Sequence, residues 1–224
     1  AGLIDMQYEF SPQAIKFISK QLLEVLGHLH DNRYLHRDIK CSNLLLDHNL
    51  HLKLADFGLA RRLKVDDKDA LLTNRVITLW YRPPELLLGA TRYGPAIDMW
   101  GVGCIIAEII IGKPLFSGKQ ESEQLEMIFK ILGTPSEHIW PEIVDLPNWA
   151  EIRAKIIHPN KLKTRLVESS RKVGAEAKMT SDCIDLITEL LIYDPKDRLG
   201  AKSAIGSSYF TAFPKCPGSH LELG

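Results

Sequence analysis

Cysteine is scarce and scattered in this chain: Cys41, Cys104, Cys183 and Cys216 are the only four in 224 residues, and no two form a C-x-x-C pair. That spacing argues against a disulfide scaffold and against a structural zinc site, and fits the reduced thiols of a cytosolic or nuclear protein. An excess of charge is also missing. Lys plus Arg and Asp plus Glu number 28 each, so no global field draws the protein to nucleic acid or to a membrane surface, and any charged recognition must be local. The longest apolar run, residues 99–111, is too short to span a bilayer and carries Glu108, so it reads as a buried helix. Internal repeats and low-complexity tracts are absent. There is no initiator Met and no signal-peptide pattern ahead of Ala1, so the expectation is a chain that starts within something larger.

What is present is an ordinary globular composition, 45% hydrophobic and 25% charged, enough for one sizeable core and one domain. Ser11-Pro12 reads as an N-cap followed by proline at the first helical position. Ile15, Ile18, Leu22, Leu26 and Leu29 then recur at helical spacing to about His30. From Leu44 to Leu54 the pattern shortens, with Leu50, Leu52 and Leu54 alternating against His51 and Lys53 around a turn at Asp47-His48-Asn49, which predicts a small hairpin. Residues 55–95 are rich in charge, Pro and Gly without clear periodicity, a long irregular stretch of the kind that carries function.

Ala96–Ile111 is apolar nearly all round and predicts a central buried helix. Leu125, Ile128, Phe129 and Leu132 mark another. Ile184, Ile187, Leu190 and Leu191 mark a third, opened by Ser181 as N-cap. Between the last two, residues 133–178 bear Pro and Trp and a basic half: Arg153, Lys155, Lys161, Lys163, Arg165, Arg171 and Lys172. This half reads as a solvated loop in preference to a partner surface, because charge runs usually mean solubility.

His36-Arg37-Asp38, then Asn43 after four intervening residues, then Asp56-Phe57-Gly58 just after the hairpin, then Pro84-Glu85, Asp98 and Trp100 form an ordered series. It resembles the catalytic core of eukaryotic protein kinases over essentially the whole chain. Any one triplet is weak evidence, but the order of the full set is far beyond coincidence. Phosphoryl transfer asks a protein to position groups and neutralise charge. The resemblance accordingly assigns Asp38 to the substrate hydroxyl. Asn43 and Asp56, at the two ends of the hairpin, are assigned to magnesium. Lys40, two residues after Asp38, resembles the lysine that steadies the transferring phosphate in Ser/Thr kinases, and Thr78 is counted in the same catalytic set. Glu85 and Arg198, the latter in Asp194-Pro195-Lys196-Asp197-Arg198, look like the ion pair that ties the activation segment to the lower helices. Asp98 looks like the buried aspartate that accepts hydrogen bonds from the catalytic-loop backbone.

The run Thr73-Asn74-Arg75-Val76-Ile77-Thr78-Leu79-Trp80-Tyr81-Arg82-Pro83-Pro84-Glu85 resembles the cyclin-dependent kinases. A mitogen-activated kinase would carry Thr-x-Tyr at Thr73. Pro83, Cys41-Ser42 and Leu86-Leu87-Leu88-Gly89 resemble the transcriptional branch acting on the C-terminal tail of RNA polymerase II. The implied fold is mostly α, the large C-terminal lobe of a kinase over residues 1–213. Small β-hairpins lie at its catalytic and magnesium loops. Within it fall a catalytic loop at 36–43, an activation segment at 56–85 and an insert at about 133–178; residues 214–224 form a tail.

The resemblance also implies ATP and Mg2+ as cofactors, with Lys40, Asn43, Leu45, Ala55 and Asp56 on the nucleotide side and Leu45 as the floor under adenine. Thr73 is the implied activating phosphosite, gathered by Arg37 and Arg61. Val76, Ile77 and Arg82 shape the pocket for the residue after the target Ser or Thr, where proline is expected. The implied partners are a cyclin, an activating kinase and protein substrates with Ser-Pro or Thr-Pro sites, without nucleic acid or membrane, in the nucleus, with the cytoplasm as a further location. The Gly-rich loop, strand lysine and helix glutamate of a complete kinase do not precede Ala1, and Ala1-Gly2-Leu3 would lie just past the hinge between lobes. By itself the chain is therefore expected to be inactive, or to act as a noncatalytic binding fragment; the alternative to the transcriptional branch is another proline-directed kinase, of the cell-cycle or mitogen-activated type.

Overall fold

The computed structural model describes residues 9–63, 72–73, 76–152 and 157–217. Ala1, Gly2, Leu3, Asn74, Arg75, Arg153, Lys155 and the tail from residue 218 lie outside the described residues. Helix α1 (Pro12–Asp31) opens as its sequence predicts: the Ser11 hydroxyl accepts from the Ala14 amide at 3.2 Å and Pro12 takes the first turn, where its missing N–H costs nothing. Ile15, Ile18, Leu22 and Leu26 lie fully inside the core.

A two-residue strand β1 (Tyr34–Leu35) follows, then strands β2 (Leu44–Leu46) and β3 (Leu52–Leu54), paired antiparallel with Leu44 opposite Leu54. The Asp47 carboxylate accepts from the amides of Asn49 and His51 at 2.8 and 2.9 Å and so closes the turn between them. Strand β4 (Arg61–Arg62) pairs back to β1. This pair is not a hairpin, since 25 residues of chain separate its strands, and it clips the start of the irregular stretch to the residues just before His36.

The remaining described helices are α2 (Pro84–Leu87), α3 (Ala96–Ile111), α4 (Glu121–Leu132), α5 (Trp149–Ile152), α6 (Leu162–Lys172), α7 (Ser181–Leu190), α8 (Ala201–Ile205) and α9 (Ser208–Thr211), with 3-10 turns at Cys41–Asn43, Leu79–Tyr81, Pro141–Asp145 and Glu176–Lys178. Helix α3 is the axis of the core and packs against α1, α6 and α7. Two glycines let its neighbours approach. A Cβ on Gly101 would stand 2.9 Å from the Cβ of Ile39, and one on Gly103 would stand 2.9 Å from the Leu191 side chain. Ile39 therefore rests directly on the α3 backbone.

Two expectations change. The cap of α7 is Thr180, whose hydroxyl accepts from the Cys183 amide, while Ser181 is already inside the helix. The basic segment is also no loop beyond residue 160. Lys161 caps α6, and Leu162 and Leu166, four residues apart, bury one face of it. Lys163 and Arg171 point to solvent and pair with Asp185 and Glu176. Charge masked an amphipathic period that only four apolar or small buried positions carry.

Beneath the irregular stretch lies a buried ion pair. Arg198 donates to both carboxylate oxygens of Glu85 at 2.7 and 2.9 Å and to the carbonyls of Ala96, Ile192 and Tyr193, and its guanidinium lies 5.1 Å from the centroid of the Trp100 ring. Among the described residues, no helix is long and apolar enough to cross a membrane.

Candidate active site

The loop of residues 36–43 hangs from one carboxylate. Asp98, fully buried in the first turn of α3, accepts from the amides of His36 at 3.0 Å and Arg37 at 2.9 Å, and from the His30 ring at 2.9 Å. Arg37 adopts φ 65, a left-handed conformation that a non-glycine residue holds only when its surroundings over-determine it. Those two amide bonds supply that constraint. The His36 ring is placed from both sides: Nδ1 accepts from the Asp38 amide at 3.3 Å, which leaves Nε2 to donate to the Ala55 carbonyl at 3.0 Å. Phe57 meets the same ring edge-on, with centroids 4.9 Å apart.

At the loop's tip three predicted residues converge on Asp38. Lys40 Nζ donates to Asp38 Oδ2 at 2.6 Å and to Thr78 Oγ1 at 3.2 Å. Thr78 donates to Asp38 Oδ1 through its hydroxyl at 3.0 Å and its amide at 3.2 Å. Asn43 Nδ2 donates to the Asp38 carbonyl at 2.8 Å and to Oδ2 at 3.2 Å. Burial pushes the Asp38 carboxyl up, but the hydrogen bonds from Lys40 and Thr78 outweigh it and hold the group below the usual aspartate range. It is an ionised acceptor at neutral pH.

Asn43 and Asp56 are linked by the hairpin: the Ala55 amide donates to the Asn43 carbonyl at 2.9 Å, one residue before Asp56. With both amide hydrogens of Asn43 directed at Asp38, its side-chain oxygen is the atom left to bind elsewhere. Asp56 is exposed, adopts φ 61 and accepts from the Gly58 amide at 3.2 Å through Oδ1. One carboxylate and one amide oxygen are the hard donors that magnesium takes alongside phosphate oxygens, so the donor set fits that ion. Leu45, in β2 opposite Lys53, is 50% exposed.

Around Thr73 a tyrosine joins the residues named from the sequence. Thr73 is exposed, and its carbonyl accepts from the Tyr93 hydroxyl at 2.6 Å. Tyr93 in turn accepts from Arg37 Nη1 at 3.1 Å, while Arg37 Nε donates to the Leu59 carbonyl at 2.7 Å. Arg61 lies exposed in β4, and no contact among the described residues joins it to Thr73. Tyr93 was missed because nothing local marks a tyrosine 20 residues downstream.

Val76 and Ile77 are buried, and Ile77 adopts φ 68. Its carbonyl accepts from Arg82 Nε at 3.2 Å and Nη2 at 3.0 Å, and Arg82 Nη1 is anchored on Glu121 of α4 at 2.5 Å. Glu121 also escaped the sequence reading, since it lies 39 residues beyond its partner.

The family described as protein kinase domain matches residues 1–210. Cyclin-dependent kinase C-2 of Oryza sativa subsp. japonica is 49% identical over 214 residues, 95% of this chain and 40% of the relative. The CTD kinase subunit alpha of Schizosaccharomyces pombe is 46% identical over 210 residues, 94% of this chain and 34% of the relative. The chain thus spans 40% or less of the length of these two relatives. Among solved structures, the yeast RNA Pol II CTD kinase CTDK-1 complex superposes with a TM-score of 0.86 at 42% identity, covering 98% of this chain and 69% of that one. This chain belongs to the protein kinase family, with cyclin-dependent kinases and CTD kinases among its relatives.

Proposed function

We propose that the chain is the large C-terminal lobe of a cyclin-dependent Ser/Thr kinase that phosphorylates Ser-Pro and Thr-Pro sites, with the C-terminal tail of RNA polymerase II as substrate. The observation that carries the reading is the convergence of Lys40, Thr78 and Asn43 on an ionised Asp38. In this reading Asp38 orients the substrate hydroxyl and takes its proton, and Lys40 lends positive charge to the phosphoryl group in flight. Bound MgATP supplies the phosphoryl group, with Asn43 and Asp56 holding the metal and Leu45 and Ala55 facing the adenine side. Glu85, Arg198 and Asp98 hold the scaffold. Thr73 is the site of an activating kinase, its phosphate drawn to Arg37 and Arg61. A cyclin, engaged outside this chain, and a nuclear site of action complete the proposal, which the names of the relatives support.

Proline direction follows from Ile77. Its left-handed backbone and the two Arg82 bonds leave its carbonyl already engaged. An incoming amide after the target Ser or Thr then has no acceptor, whereas proline has no amide to strand. A stranded donor costs about 1–3 kcal/mol, roughly a tenfold to hundredfold preference. The experiment is a peptide series with Pro, Ala or Gly after the phosphosite, assayed with the complete cyclin-bound protein and with its Asp38→Asn variant. The preferred peptide should follow proline, and Asp38→Asn should lose turnover by orders of magnitude without unfolding. Comparable kcat/KM across the three peptides, or near wild-type turnover in the variant, would sink the reading.

A further inference from the structure

Helix α6 and the last turns of α4 form a groove that no part of the chemistry above uses. Its volume is about 620 Å³, within the roughly 300–1,000 Å³ of sites that hold a bound ligand. The two helices are stapled where they meet, since the Lys161 amide donates to the Ile131 carbonyl at 2.8 Å. Met127 and Ile131 of α4, half-buried and buried, give the groove an apolar floor. Lys130 of α4 and Lys161, Thr164 and Arg165 of α6 stand exposed along its walls, with Glu168 one turn beyond Thr164.

The pairing of the cations singles this face out. Lys163 and Arg171, which do not line the groove, each meet an acid, Asp185 at 2.9 Å and Glu176 at 3.4 Å. Among the described residues no acid lies within ion-pair distance of Lys161 or Arg165. These two are one turn apart, a spacing at which like charges on a helix repel. Lys130 pairs with Glu126 at 2.6 Å, but both side chains are more than half exposed, and such a pair yields readily to a stronger anion. Solubility accounts for cations spread over a surface. It does not account for leaving without acids the two that border an apolar floor.

An anion with an apolar neighbour satisfies both features. A phosphoserine carries about −1.5 to −2 charges and three acceptor oxygens, enough to engage the Arg165 fork, the Lys161 ammonium and the Thr164 hydroxyl together. The ring of a proline directly after it suits the adaptable Met127 and Ile131 surface. On the kinase reading above, phosphoserine-proline is the product of this protein's own reaction. Helix α4 also joins the groove to the substrate side: Glu121, its first residue, anchors Arg82. Met127 and Ile131 lie about 9–15 Å further along the helix axis.

We propose that the α4–α6 groove is a docking site for a phosphoserine-proline segment of a substrate that has already been phosphorylated once, holding it while a second Ser-Pro site reaches Asp38. The inference rests on the kinase reading and deepens it: on a substrate with several sites, the first phosphate speeds the next by raising the effective concentration of the remaining ones.

The test uses the complete cyclin-bound protein, the charge-reversed variant Lys161→Glu with Arg165→Glu, and the milder Lys161→Gln with Arg165→Gln. The kinetic peptide carries an acceptor Ser-Pro and, across a Gly/Ser linker of about ten residues with an r.m.s. span of about 16–19 Å, either phosphoserine-proline or a control Ala-Pro. A second peptide, with alanine at the acceptor, reports binding by fluorescence anisotropy without phosphate transfer. In wild type the phosphorylated peptide should have a KM about 5- to 10-fold below that of the control at equal kcat, an advantage that shrinks as salt rises. Both variants should lose that advantage while keeping the wild-type Tm and the wild-type kcat and KM on the control peptide. Equal KM for the two peptides in wild type overturns the proposal, and so does an advantage that survives in both variants. Displacement of the phosphopeptide by a single-stranded RNA of matched charge at equal affinity marks a general polyanion surface and also overturns it. If charge reversal lowers Tm, the Gln pair decides. Should the wild type transfer no phosphate to either peptide, the kinase reading fails and anisotropy alone decides the groove: phosphopeptide binding that the variants lose upholds it, and absence of binding removes it.

Discussion

Replacing Arg198 by alanine tests how the segment carrying Glu85 is tied to the helices below it. The guanidinium is fully buried and Glu85 is 3% exposed at its side chain, with both carboxylate oxygens served by Arg198 at 2.7 and 2.9 Å. Truncation strands a buried carboxylate and removes the donor from three carbonyls, those of Ala96, Ile192 and Tyr193. Breaking a buried pair from one side costs about 3–5 kcal/mol, because the remaining charge is left without a counterion. For a domain of this size about 2–4 °C of Tm accompanies each kcal/mol, so Tm should fall by roughly 6–20 °C. Arg198→Lys should recover less than half of that, since one ammonium cannot serve two carboxylate oxygens and three carbonyls at once. Thermal unfolding followed by circular dichroism gives the values. The informative comparison is Arg198→Leu paired with Glu85→Leu. Removing both charges relieves the stranded carboxylate, so the double variant should be more stable than Arg198→Ala alone. A double variant that melts at or below Arg198→Ala would refute the argument that the stranded charge dominates the cost.

Two further outcomes are expected. In the complete cyclin-bound protein, Thr73→Ala should lower kcat/KM about tenfold to a hundredfold, the worth of one or two charge-assisted hydrogen bonds, and peptide kinetics with phosphosite mapping check it; unchanged activity removes the arginine-cluster reading. The Glu108 carboxyl, raised by burial among Tyr81, Cys41 and Cys104, binds its proton more tightly folded than unfolded. Wild-type stability should therefore fall as pH rises from the ordinary glutamate range through the folded pKa, and Glu108→Gln should lack that component, so the Tm difference in favour of the variant grows with pH across this window. A pH-independent difference between the two contradicts the assignment.

The elements legible in the sequence were those whose signal is local. Helix α1 carries its cap, its proline and its apolar period within 20 consecutive residues, and α3 is apolar on every side because every side is covered. The β2–β3 hairpin shows its turn residues and its alternation within a dozen positions. Helix α6 was obscured for the converse reason, since its polar face outnumbers the few buried positions that define it. The cap of α7 slipped by one residue because Thr180 and Ser181 are both competent caps, and only backbone geometry separates them.

By itself the sequence determined the family, through motifs whose order survives any uncertainty about packing, and with it which residue types could serve phosphoryl transfer. Only the tertiary structure decided how they meet. Asp98 reaches back 62 residues to the His36 amide, Tyr93 bridges 56 residues from Arg37, and Glu121 anchors Arg82 from 39 residues away. Such contacts leave no periodicity in the chain. They arise when burial forces distant polar groups to satisfy one another, and their partners are set by the packing of whole helices, which no window of the sequence contains.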